Sequence, residues 1–166
     1  TLMSASASAP PVVRDRSASY APQRPAHAQV FELSAIERAR MVKQGVPARA
    51  VQELSAAMGL PREQFMRAAG LARSTVERKI AARGMLSESE SEKLVGISRL
   101  IGQVQAMVQA SGETAQEFSA PRWFAAWIAQ PVAALSGLCP QELLDTADGR
   151  EALGNLLTQM QFGVYA

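Results

Sequence analysis

Side chains that ordinarily perform chemistry are scarce in this chain of 166 residues. A metal or a nucleophile–base pair would have to be built from one histidine, His27, and one cysteine, Cys139. Structural zinc takes its ligands from clustered Cys and His, and an activated nucleophile needs a base within hydrogen-bond reach. His27 lies in an Ala/Ser/Pro-rich tail, remote in sequence from Cys139. Cys139, next to Pro140 among apolar residues, reads as a small core side chain. Asp145 and Asp148 read as helix caps rather than a carboxylate pair, with Asp148 the expected N-cap of a final helix. The expectation is no enzyme, no metal and no cofactor.

What remains is recognition chemistry, and it gathers between Arg73 and Arg83. If Ser74–Arg83 is helical, Val76 and Ile80 are four apart and face inward. Ser74, Thr75 and Arg78 then point outward, with Arg73, Lys79 and Arg83 on the flanks. Arginine can grip a base edge through two hydrogen bonds, small hydroxyl residues permit close approach to a groove, and flanking cations neutralise phosphates. Arg73, Ser74, Thr75, Arg78, Lys79 and Arg83 are therefore the predicted DNA contacts. Charge follows the same division: residues 31–84 carry ten Lys and Arg against five Glu, whereas residues 114–166 carry two Arg against five acidic residues. That asymmetry suits a polyanion-facing part followed by a protein-facing part.

The elements that must position these residues are helices. Apolar residues make up 48% of the chain, Ala is abundant and β-branched runs are few. Residues 1–30, with Arg14, Arg16 and Arg24, have the composition of a disordered arm. Ser34 with Glu37 forms a capping-box pattern for a helix that stops at Gly45. Pro47 and Pro61 open two further helices, ended by Gly59 and Gly70. A helix from Pro61, a turn at Gly70-Leu71 and a helix from Ser74 have the layout of a helix-turn-helix. Ser87 with Glu90 starts a long helix to about Ser111, whose length suits a connection between modules, pairing with a second copy, or plain core use. Thr114–Phe118 reads as a short helix, and Pro121 opens the helix carrying Trp123 and Trp127. Those indoles, with Leu143 and Leu144, are assigned to the core. The sequence closes on Phe162-Gly163-Val164-Tyr165-Ala166, an apolar tip that either folds back or docks into a partner. No apolar run approaches the roughly 18 residues of a membrane span.

The run Leu71–Ile80, continued by Leu86–Leu94, resembles the helix-turn-helix half of the Xre–MbcA–ParS antitoxin family. The C-terminal run resembles that family's toxin-binding half through Trp127-Ile128, Pro131, Ala134-Leu135, Gly137, Pro140, Glu142–Thr146, Gly149 and the ending Phe162–Ala166. The similarity spans about residues 32–166, and the C-terminal pattern is its more specific part. It implies an all-α fold: an arm at 1–30, an Xre-like helix-turn-helix module at 31–85, a long linking or dimerising helix at 86–112, and a small helical toxin-binding domain at 113–166. It implies an antitoxin that occludes the active site of a RES-domain toxin that destroys NAD⁺ and that binds its own operator DNA. A homodimer, higher-order complexes with toxin, and a bacterial cytoplasmic location at its operon also follow from the resemblance. Carried over, Gly149, Arg150, Phe162, Gly163, Val164, Tyr165 and Ala166 become toxin contacts. Phe162 stands where the family often has Lys or Arg, and the long arm is not a regular family feature. Without the resemblance, the residues also suit a stand-alone helix-turn-helix regulator whose C-terminal domain dimerises or binds an effector.

Overall fold

Glycine and proline punctuation divides the folded chain into helices, as the sequence predicts. The computed structural model describes residues 26–112 and 117–163. In order come α1 (Ala26–Glu32), α2 (Ala35–Gln44), α3 (Arg49–Met58), α4 (Arg62–Ala69), α5 (Arg73–Ala81), α6 (Glu88–Ala110), α7 (Ala120–Ile128) and α8 (Ala147–Gln161). Two 3-10 turns, Ala133–Leu135 and Pro140–Leu143, lie between α7 and α8. Among the described residues there is no strand, and one isolated antiparallel bridge pairs Pro47 with Met85.

Both capping boxes form. The Ser34 hydroxyl accepts from the Glu37 N–H at 3.2 Å, while the Ser34 N–H donates to the Glu37 carboxylate at 2.7 Å. Ser87 and Glu90 repeat the exchange at 3.1 and 2.7 Å at the start of α6. Pro47 does not open α3 directly. It lies two residues ahead of it, where the Ala48 N–H donates to the Gly84 carbonyl and the Leu86 N–H donates to that of Val46. The final helix starts two residues earlier than expected: Thr146, not Asp148, is the N-cap, its hydroxyl accepting from the Gly149 N–H at 3.0 Å. Asp148 is left in the first turn, where its charge suits the helix dipole.

The long helix α6 is the axis on which the rest is hung. Its buried Leu94, Ile97, Leu100, Ile101 and Val104 meet α1, α2, α4, α7 and α8. Phe65 and Met66 of α4, Phe124 and Ile128 of α7, and Leu153 and Leu157 of α8 join them in one continuous apolar cluster. Of the alternatives for this helix, core use is therefore realised within the chain.

Two expectations need correction. The folded part begins at Ala26 rather than Phe31, because α1 lies along α6 with His27 and Val30 buried. His27 is thus an interior residue, not part of a loose tail. The two tryptophans pack against the edge of the core and are half-buried rather than interior, stacked on each other with ring centroids 5.8 Å apart and planes 14° from parallel. The buried face of α7 is instead Phe124, Ala125 and Ile128. Leu144 is in the core and Leu143 packs at its edge. Cys139 is half-buried, its thiol 3.6 Å from the Ala129 carbonyl. Residues 1–25 and 113–116, which include Arg14, Arg16, Arg24 and most of the expected Thr114–Phe118 helix, lie outside the described residues. Phe118 itself is not helical. Among the described residues, no helix is long and apolar enough to cross a membrane.

Candidate nucleic-acid and partner interfaces

The helix-turn-helix is built from α4 and α5. Gly70 ends α4 at φ +68, a left-handed conformation in which a residue with a Cβ is strained, and its N–H caps the Arg67 and Met66 carbonyls. Leu71 then turns inward, donating its N–H to Met66 at 2.8 Å. Val76 is fully buried and anchors α5. Two ion pairs fasten α5 to α4: Arg73 to Glu63 at 3.0 Å and Arg62 to Glu77 at 3.2 Å.

Six residues were expected to face DNA, and the structure divides them. Ser74 and Arg78 are exposed on α5, and Arg78 makes no ion pair among the described residues. Arg83 is exposed just beyond α5 at φ +52. Arg73 remains largely exposed despite its bridge to Glu63. Thr75 is half-buried. Lys79 is turned away: it pairs with Glu90 at the first turn of α6, and both side chains are largely covered. Burial alone would raise the Glu90 carboxyl, but the Lys79 ammonium and the Ser87 N–H outweigh it and hold the group below its ordinary value. Lys79 therefore serves as a tether from α5 to the long helix.

The C-terminal candidates separate in the same way. Gly149 and Arg150 are buried and turned into the chain, which corrects their placement at a partner surface. A Cβ on Gly149 would fall 2.0 Å from the Leu143 carbonyl oxygen, so only glycine allows α8 to meet the preceding turn this closely. Arg150 donates to the Leu144 carbonyl at 2.7 Å and also to Glu92 of α6. Phe162, 72% exposed, and Gly163 do face solvent at the end of α8. Val164, Tyr165 and Ala166 lie outside the described residues.

A seam between the two halves has no local signal in the sequence. Lys93 donates to the Gly70 carbonyl at 2.6 Å, and a Cβ on Gly70 would stand 2.7 Å from that of Asp145. The turn of the helix-turn-helix is thus held by α6 on one side and by the segment leading into α8 on the other. Lys93 supplies the hydrogen bond to this turn, and Glu92, next to it in sequence, pairs with Arg150 of α8. Among the described residues, no cluster of His, Cys, Asp and Glu has the makings of a metal site.

An exposed basic recognition helix docked on a small helical domain with an apolar tip defines a two-part recognition protein. Residues 37–99 match the antitoxin Xre-like helix-turn-helix domain, and residues 115–163 match the antitoxin Xre/MbcA/ParS C-terminal toxin-binding domain. The chain belongs to the Xre/MbcA/ParS family of antitoxins. Similar to it is a Prs ADP-ribosylating antitoxin from Sphingobium sp. (strain YBL2), 36% identical over 141 residues that cover 85% of this chain and 88% of the relative. The pairing of a DNA-binding helix-turn-helix with a toxin-binding domain makes a toxin its partner class.

Proposed function

We propose that this antitoxin neutralises a RES-domain toxin that consumes NAD⁺, by seating the end of α8 and the residues after it in the toxin's active site. The observation that carries this reading is the exposure of Phe162, together with Met160 two residues earlier, at the end of a helix whose Leu153, Leu156 and Leu157 are buried. An exposed aromatic at the tip of a rigid helix has the character of a binding hot spot. The name of the Sphingobium relative links it to ADP-ribosylation of Prs. ADP-ribosylation and NAD⁺ hydrolysis share a first step, cleavage of the bond between nicotinamide and ribose. They differ in whether a protein acceptor or water takes the ADP-ribose, so either outcome fits one occluded site.

The same reading assigns operator binding and repression of its own operon to α5, with Ser74 and Arg78 at the base edges and Arg73 and Arg83 at phosphates. A homodimer places two such helices on a two-fold operator, as paired half-sites require. In the test, the protein is co-expressed with the RES-domain toxin encoded beside it, and cellular NAD⁺ is measured. The full chain protects NAD⁺ and co-purifies with the toxin, whereas a chain lacking residues 162–166 keeps its helical content and loses protection. Full protection by that truncated chain removes the tip from the mechanism. Absence of any co-purifying toxin, with operator binding intact, favours a stand-alone regulator.

A further inference from the structure

Helices α2, α3 and α4 each end on a glycine at positive φ: Gly45 at +84, Gly59 at +70 and Gly70 at +68. The recognition helix α5 does not. The residue just past its cap is Arg83 at φ +52, and among the described residues the one other non-glycine at positive φ is Ser136. The hydrogen bonds that end α5 are complete, the Arg83 N–H donating to the Ile80 carbonyl at 3.1 Å and the Gly84 N–H to that of Lys79 at 2.8 Å. This pattern favours glycine at the position Arg83 fills, because a Cβ is strained in the left-handed region. Arg83 offsets the strain with nothing inside the chain: it is exposed and makes no ion pair among the described residues. Strain kept without an internal return points to a role for the side chain outside the fold.

The end of α5 is locked against the end of α2. Pro47 pairs with Met85 across the isolated bridge, and the Ala48 to Gly84 and Leu86 to Val46 hydrogen bonds flank it at 2.9 and 2.8 Å. The Val46 N–H is held in turn by the hydroxyl of buried Ser91 at 3.0 Å. A Cβ on Gly45 would stand 3.0 Å from the Leu86 carbonyl oxygen, so the two segments touch. Within four residues of the bridge on either segment, the exposed charges are Lys43, Arg49, Arg83 and Glu88. Arg49 is drawn to Glu53 at 3.5 Å. Lys43, in the last turn of α2, makes no ion pair among the described residues. Lys43 and Arg83 are thus two unpaired cations carried on one fastened pair of segments, and the single carboxylate of Glu88 leaves the patch positive.

We infer that Arg83 and Lys43 form a clamp on the sugar–phosphate backbone of duplex DNA, at the C-terminal end of the recognition helix. The clamp rests on the reading of α5 as the DNA-binding helix and adds to it Lys43 of α2, a contact outside the helix-turn-helix. Contacts of this kind fix a recognition helix in register without reading sequence. Arg83 keeps its strained backbone because the phosphate, not the fold, is its partner.

The test uses the full chain and a random-sequence duplex of about 30 base pairs, since phosphate contacts need no operator. Anisotropy titrations between about 50 and 200 mM salt give the slope of log affinity against log salt. Each lost phosphate contact should reduce that slope by about 0.9 and weaken binding about eightfold at about 0.1 M salt. Arg83→Gly and Lys43→Gln should each do so, and the double variant should show about twice the change in slope. Arg83→Gly should also melt no lower than the unmodified chain, because glycine relieves the backbone; a merely structural arginine does not lose DNA while keeping stability. Arg122→Gln removes an exposed charge from α7, also unpaired among the described residues, and should leave the slope unchanged. The inference is overturned by an unaltered slope in either single variant, by an equal fall in Arg122→Gln, or by a lower Tm in Arg83→Gly. Failure of the unmodified chain to bind the duplex at all would instead overturn the reading of α5 as a DNA-binding helix, and the clamp with it.

Discussion

Two glycines inside helices should respond to the same substitution with opposite sign. Gly102 lies within α6 and Gly154 within α8, and alanine is favoured over glycine by about 1 kcal/mol in a helix interior. At Gly154 an added Cβ meets Gln103 Oε1 and Leu100 Cδ2 at 3.5 Å, ordinary contact distances. Gly154→Ala should therefore stabilise the protein by close to the full propensity term, about 1 kcal/mol. At Gly102 the Cβ would lie 2.3 Å from the His27 carbonyl oxygen. A carbon–oxygen contact needs about 3.3 Å, so α1 must retreat by roughly 1 Å. A gap of that size forfeits up to about half of the dispersion attraction across the α1–α6 contact. Overpacking of this kind costs ~1–3 kcal/mol, and because backbone rather than a flexible side chain is in the way, the upper part of that range applies. The net effect of Gly102→Ala is about 1–2 kcal/mol of destabilisation after the propensity gain.

The two variants thus differ by about 2–3 kcal/mol, or roughly 5–10 °C in Tm for a chain of this size. Urea and thermal unfolding followed by circular dichroism measure the difference. Hydrogen exchange at Ala26–Glu32 locates it, because protection in α1 should fall in Gly102→Ala and remain unchanged in Gly154→Ala. Equal stabilisation by both substitutions, or unaltered exchange in α1, would refute the close crossing and with it the burial of His27.

Arg78→Ala should weaken operator binding by ~1–3 kcal/mol, the range of a bidentate base contact. Lys79→Ala should instead act mainly on stability by stripping Glu90 of its partner; a band-shift titration beside a melting curve separates the two, and equal losses of DNA affinity would undo the tether assignment. Trp127→Ala should cost about 2 kcal/mol, combining a stacking term of ~0.5–1.5 kcal/mol with loss of partial burial; a loss above about 4 kcal/mol in urea unfolding would mean a fully buried indole. Acid should destabilise the fold in two windows, because folding lowers the pKa of both His27 and Glu90. The unfolded imidazole takes up a proton first as the pH falls through its ordinary 6.5, so stability declines from there. The Glu90 contribution is complete above the ordinary carboxyl value of 4.5 and is lost as the pH falls through the lower folded value. Urea midpoints against pH should show the upper loss disappear in His27→Phe and the lower one shrink in Glu90→Gln.

What the sequence revealed was whatever depends on neighbours along the chain. Ser34 with Glu37 and Ser87 with Glu90 close capping boxes within three residues, and Gly59 and Gly70 end their helices by their own backbone conformation. Ambiguity arose where two residues competed for one local role: Thr146 and Asp148 are both good caps, two positions apart. It arose again in α7, where Trp123 with Trp127 and Phe124 with Ile128 are both spaced by four. Spacing shows that each pair shares a face but not which face is buried. Nothing local announced α1, whose helix is secured by docking at Gly102, about 75 residues away by the numbering. The same holds for Arg150, whose partner Glu92 is 58 positions distant. A conspicuous arginine beside a glycine reads as a surface contact until that partner is seen.

Division of the chain into a DNA-binding half and a toxin-binding half does not make two independent folding units. Phe124 and Ile128 of α7, with Leu153 and Leu157 of α8, are 2% exposed or less, and the cluster that covers them includes Leu100, Ile101 and Val104 of α6. A fragment starting at residue 113 lacks that helix and exposes all four side chains, each worth ~1.5–3 kcal/mol when buried. That loss is comparable to the entire stability of a small domain. Residues 113–166 alone should therefore lack a cooperative transition, whereas residues 86–166 should unfold with one and retain most of the helical signal of α6, α7 and α8. A sharp melting transition in the shorter fragment would show that α7 and α8 find their own core, and α6 would then be a connector between modules and not the shaft they share.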